Sequence, residues 1–107
     1  MRTKAVILRA IAERDIAAAV EFDLGEGAER AALGFVDAIE RTFLQSARRP
    51  AIGSPRYGNE LAIAALRHWP IRRYPHLVFY IERVDHADVW RILHGVRDIP
   101  AGMEVPE

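Results

Sequence analysis

Six arginines, Arg48, Arg49, Arg56, Arg67, Arg72 and Arg73, fall within 26 residues of this 107-residue chain, against one acidic residue, Glu60. A guanidinium is a planar, permanently charged donor that meets phosphates and carboxylates with two hydrogen bonds at once. A stripe of such groups suits a phosphate backbone or an acidic peptide about equally well. On an extended segment Arg67 shares a face with Trp69, and Arg73 with Ile71, so a basic side chain is expected to flank an exposed aromatic. His94 is the second feature, because it closes an apolar run and precedes Gly95, Arg97 and Asp98. A histidine at a strand end beside an arginine can serve as general acid or base on a phosphodiester while the guanidinium stabilises charge on phosphorus. Arg97 and Asp98 could equally form a local cap that closes the sheet.

Other chemistries have little support. The chain lacks a Walker loop, a dinucleotide fingerprint, a Gly-x-Ser-x-Gly elbow and helical histidine pairs at metal-ligand spacing. His68, His76 and His86 read as surface or structurally satisfied side chains. No cofactor or metal is expected, and no cysteine is present to form a disulfide, a thiolate nucleophile or a Cys-ligated zinc site. The apolar run near the N-terminus is too short for a signal-peptide core, and none approaches the ~18 residues of a membrane span. A cytoplasmic location without membrane association is the expectation.

Fifteen Lys plus Arg balance fifteen Asp plus Glu, and fourteen of the fifteen basic residues are Arg. The balance is uneven along the chain. Residues 1–47 sum to −2, residues 48–73 to +5 and residues 74–107 to −3. A neutral total argues against strong nucleic-acid binding by bulk charge, while the basic middle offers a local electropositive surface.

The elements that must position these residues follow from periodicity. Ala5, Val6, Ile7 and Leu8 suit a short strand buried on both faces. Ala12, Ile16, Val20 and Leu24 recur every four residues, so a helix is expected to run up to Gly25. A longer helix is expected over about residues 28–48, with Ala32, Phe35, Val36, Ile39, Phe43 and Ala47 on its inner stripe and Pro50 beyond its end. The exposed faces of both helices carry charges of mixed sign and read as merely solvated. Residues 49–60, with two Pro and two Gly, are expected to be loop. Three strands follow, over residues 66–74, 77–81 and 88–93, the first an edge strand or bulged because it contains Pro70. In the last, Val89, Arg91 and Leu93 are expected on one side and Asp88, Trp90 and Ile92 on the other, with Trp90 and Tyr80 in the core.

This order, β-α-α-β-β-β, predicts an α+β domain occupying residues 1–107. A small, twisted, mainly antiparallel sheet takes the αα-hairpin on one face and leaves the other face open and concave toward a partner.

Several segments carry a family resemblance. They are Ala-Val-Ile-Leu-Arg from Ala5, Ala-Glu-Arg-Asp-Ile from Ala12, Pro-Ala-Ile-Gly-Ser-Pro-Arg from Pro50, Leu-Arg-His-Trp-Pro-Ile from Leu66, Leu-Val-Phe-Tyr from Leu77, and Val-Trp-Arg-Ile-Leu-His-Gly-Val-Arg-Asp-Ile-Pro from Val89. In order and spacing the sequence resembles toxins of the RelE/ParE superfamily of type II toxin–antitoxin systems, specifically the ParE branch. The resemblance implies the strand order read above and a growth-arresting toxin held in a hetero-oligomer by a ParD-like ribbon-helix-helix antitoxin, whose tail wraps it. It also implies a target. RelE-like members cleave mRNA on the ribosome, whereas ParE-like members poison DNA gyrase.

The residues favour the second target. Where mRNA-cleaving members commonly place an arginine before the central strand, this chain has His76, and no tyrosine follows Tyr80. The expectation is a gyrase inhibitor that is not an enzyme, with Arg56, Arg67, Trp69, Arg72, Arg73, His94 and Arg97 as candidate contacts to target or antitoxin. The alternatives are a ribosome-dependent endoribonuclease using His94 and Arg97, and a non-toxic module that only binds the antitoxin.

Overall fold

A computed structural model of the chain describes residues 5–25, 27–48, 53–60 and 62–95. β1 (Ala5–Leu8) leads into α1 (Ala10–Gly25), which the three-residue connection 26–28 joins to α2 (Glu29–Arg48). A short α3 (Arg56–Glu60) precedes β2 (Leu66–Pro70), β3 (His76–Glu82) and β4 (His86–His94). The sheet order is β1-β4-β3-β2, with β2, β3 and β4 antiparallel and β1 parallel to β4. This is the expected α+β architecture with a mixed sheet.

α1 and α2 pack on one face. Ala12, Phe35 and Ile39 meet Val78, Tyr80, Ala87, Val89 and Ile92 in the main core. Tyr74 fastens the β2–β3 turn to α2, donating to the Ala31 carbonyl at 3.2 Å and meeting Phe35 edge-on at 5.2 Å.

The structure corrects several expectations. A β-bulge lies between Phe79 and Tyr80 and their β4 partners, Arg91 and Val89, so Trp90 is the inserted residue. The insertion shifts the alternation of β4, placing Val89 and Ile92 in one core and Trp90 and Leu93 in the other. β2 is an edge strand and ends at Pro70, which has no N–H to donate; residues 71–75 turn back instead. β1 is an edge as well and packs by one face only: Val6 and Leu8 meet the main core, whereas Ile7 is 53% exposed rather than buried.

The segment expected to be loop contains α3. The Ser54 hydroxyl accepts the Arg56 N–H at 3.3 Å and the Pro55 carbonyl accepts that of Asn59 at 2.9 Å, which starts a helical turn. Tyr57, with Ile63 beyond the helix, then covers part of the second sheet face. There Leu66, Phe79, Ile81, Trp90 and Leu93 form a second core. That face is therefore partly roofed, not open.

Candidate functional site

The end of the sheet where β2 stops, β3 starts and β4 stops gathers the candidate residues. The β2–β3 turn carries Arg72 and Arg73, both exposed. Arg73 has φ 73°, a left-handed conformation that costs a non-glycine residue about 1 kcal/mol. The Ile71 and Tyr74 N–H groups close the turn on the His76 and Ile71 carbonyls at 3.0 and 3.1 Å. Beside it, His76 pairs in register with His94, and their rings meet edge-to-face at 5.5 Å. Phe35 contacts the His76 ring at 4.8 Å. Arg97 lies outside the described residues.

The other candidates sit along the β2 edge. Arg56 begins α3, exposed, with its guanidinium 5.4 Å from the centre of the Tyr57 ring. His68 packs against Tyr57 and Phe79 at 5.2 and 5.8 Å; burial, aided by the Arg56 charge, pushes its pKa below the usual imidazole value. Arg67 is half-buried and donates to the Gly53 carbonyl at 2.6 Å. Trp69 is not the exposed aromatic that its spacing suggested. It packs against the main core because its cross-strand partner is the buried Val78, leaving Arg67 beside a covered ring. The structure thus joins Arg72, Arg73 and His94 at one sheet end and holds Arg56 and Arg67 on the strand edge.

Five charged residues in two clusters carry no signal in the sequence. Asp88, only 7% exposed, receives Arg9 through two hydrogen bonds of 3.0 Å, Arg83 at 3.0 and 3.2 Å, and the Trp90 indole N–H at 3.2 Å. Burial alone would raise the Asp88 pKa, but these donors outweigh it and hold the carboxyl at about 2. Arg9 also stacks over the Trp90 ring at 5.2 Å. Farther along β4, Asp15 of α1 accepts from two Arg91 nitrogens at 2.8 Å and from the Ile92 N–H at 2.9 Å. β1 pairs only as far as Val89, and Asp15 supplies the acceptor that the β4 edge lacks beyond it. No periodic signal marks either cluster, because each joins residues more than 70 positions apart.

The helical hairpin holds a further surprise. Phe22, Leu24, Leu33 and Leu44 are 52–68% exposed, although the helix exteriors read as solvated charge.

The model for the ParE toxin of type II toxin–antitoxin systems, parDE, matches residues 6–99. The chain belongs to the ParE toxin family. A solved structure, described as the chromosomal ParDE TA system from P. aeruginosa, superposes with a TM-score of 0.72 at 15% sequence identity. The alignment covers 86% of this chain and 96% of that one, so the two share a fold. No curated protein sequence matches. None of the helices among the described residues is long and apolar enough to cross a membrane.

Proposed function

We propose that this ParE-family chain, a single toxin domain over residues 1–107, arrests growth in the cytoplasm by binding DNA gyrase and acts as a binding protein rather than a nuclease. The observation that carries this reading is the β2–β3 turn. It presents two arginines outward at one sheet end and keeps Arg73 in a conformation that glycine would adopt without strain. Ala62 and Ala65 adopt the same left-handed conformation, so the support for the reading lies in the outward placement of the two arginines on this turn. The last tyrosine supports the non-hydrolytic reading. Tyr80 is fully buried, and desolvation raises its pKa above the ordinary phenol value, which removes it from acid–base work.

A ParD-like ribbon-helix-helix antitoxin would neutralise the toxin in a hetero-oligomer. Its amphipathic tail would cover Phe22, Leu33 and Leu44, and acidic side chains would meet the arginine edge. Arg73→Gly separates target contact from folding. It relieves the backbone and raises stability by about 1 kcal/mol while abolishing growth arrest; undiminished arrest by a stable Arg73→Gly protein contradicts the reading. Codon-phased mRNA cuts that vanish in His94→Ala would instead establish the ribonuclease. Normal growth on induction of soluble protein would leave only an antitoxin-binding module.

A further inference from the structure

The Tyr74 N–H donates to the Ile71 carbonyl at 3.1 Å, so Arg72 and Arg73 are the two central residues of a β-turn whose corners are Ile71 and Tyr74. Ile71, 1% exposed, is fixed in the main core. Tyr74 is the other corner, and its side chain reaches across to α2. We propose that Tyr74 is the positioning residue of the arginine turn, docked in a slot that Gly34 opens in α2, and that this docking sets where the two arginines meet the target. The inference rests on the reading that the arginine turn is the contact surface.

Gly34 carries the argument. It lies inside the 20-residue α2, where glycine is less stable than alanine. A Cβ built on Gly34 would lie 2.6 Å from the Tyr74 hydroxyl, too close for either atom to stay in place, but 3.9 Å from the ring carbon Cζ, an ordinary contact. The space that the missing side chain leaves is therefore needed by the hydroxyl and not by the ring. From that space the hydroxyl donates to the Ala31 carbonyl at 3.2 Å, while the ring meets Phe35 edge-on at 5.2 Å. Ala31, Gly34 and Phe35 stand at i, i+3 and i+4, so one face of the helix supplies the acceptor, the room and the aromatic wall. An unfavourable helix residue is thus matched to one hydroxyl on the neighbouring turn.

Gly34→Ala, Tyr74→Phe and the double variant test this, each read by its yield of gyrase–DNA cleavage complexes and by NMR of the Arg72 and Arg73 amides in the free chain. Gly34→Ala drives the hydroxyl from its slot in a helix that alanine favours. Both amide resonances should move, and the yield should fall ~10-fold or more, as for loss of one charge-assisted hydrogen bond to the target. In the double variant the ring fits beside the new methyl group, so the resonances should return toward wild type and most of the yield with them. A residue with only a structural role would not cost a folded chain its activity and restore it on removal of a hydroxyl. Full yield from folded Gly34→Ala, or a double variant no better than Gly34→Ala, overturns the proposal. Absence of cleavage complexes with the wild type counts against the gyrase reading alone; the resonances then decide, and their failure to move in Gly34→Ala or to return in the double variant overturns the positioning role. If Gly34→Ala does not fold, Tyr74→Phe decides: hydrogen exchange of the amide at position 74 should accelerate ~5-fold, the worth of one ordinary hydrogen bond, and unchanged exchange overturns the proposal.

Discussion

Replacing Asp88 with Asn tests the ion cluster that locks β1 and the β3–β4 hairpin together. The side chain of Asp88 is 10% exposed, whereas those of Arg9 and Arg83 are 31% and 42% exposed. Its pKa, lowered from 3.8 to about 2, corresponds to about 2.5 kcal/mol of extra stability for the charged form. Water can partly solvate the two arginines once the carboxylate is lost, so a cost of about 2–3 kcal/mol is expected rather than the 3–5 of a fully buried pair.

The pH dependence follows from the depressed folded pKa. The contribution is complete above the unfolded value of 3.8 and disappears as pH falls through about 2; roughly half remains at pH 3. Urea unfolding of wild type and Asp88→Asn at pH 7 and pH 3 measures this directly, because other carboxylates titrate in both proteins and cancel. The stability gap should narrow from about 2–3 to about 1 kcal/mol. A gap under about 0.5 kcal/mol at pH 7, or one that does not narrow at pH 3, would refute the clamp as a source of stability.

Three further substitutions probe other joints of the fold. Asp15→Ala strands Arg91 and the Ile92 N–H and should cost about 3 kcal/mol in chemical denaturation, with hydrogen exchange at Ile92 accelerated. Gly53→Ala drives a methyl group into the Tyr80 hydroxyl and should lower stability by about 1–3 kcal/mol; Tyr80→Phe in the same chain should restore part of the loss. Arg56→Gln removes the second of the two influences that depress the His68 pKa, so an NMR titration should show that pKa rise while staying below its ordinary value, since burial remains.

The elements that follow simple periodicity were readable in the sequence. α1 ends at Gly25, with the left-handed glycine at Gly27 (φ 73°), and Phe35 and Ile39 on the α2 stripe are 1% and 3% exposed. What escaped depends on tertiary pairing. Alternation in β4 fails at Trp90 because one inserted residue changes phase, and nothing local in the sequence announces a bulge. Trp69 and Arg67 do share a face, but only the sheet order reveals that this face meets the helices. Leu24 continues an apolar repeat and is nevertheless 52% exposed, because α1 is apolar around much of its circumference. The Arg9–Asp88–Arg83 cluster joins the end of β1 to the final hairpin, a proximity that arises only once β1 is laid parallel to β4.

Engagement of DNA gyrase by the arginine-bearing sheet end, without nuclease chemistry, is the proposal to be tested. The most direct measurement mixes purified toxin with gyrase and supercoiled plasmid, then denatures and digests the protein. Linear plasmid, from trapped gyrase–DNA cleavage complexes, is expected with wild-type toxin but not with Arg73→Gly. Intact supercoiled plasmid with wild-type toxin that still arrests growth would contradict it.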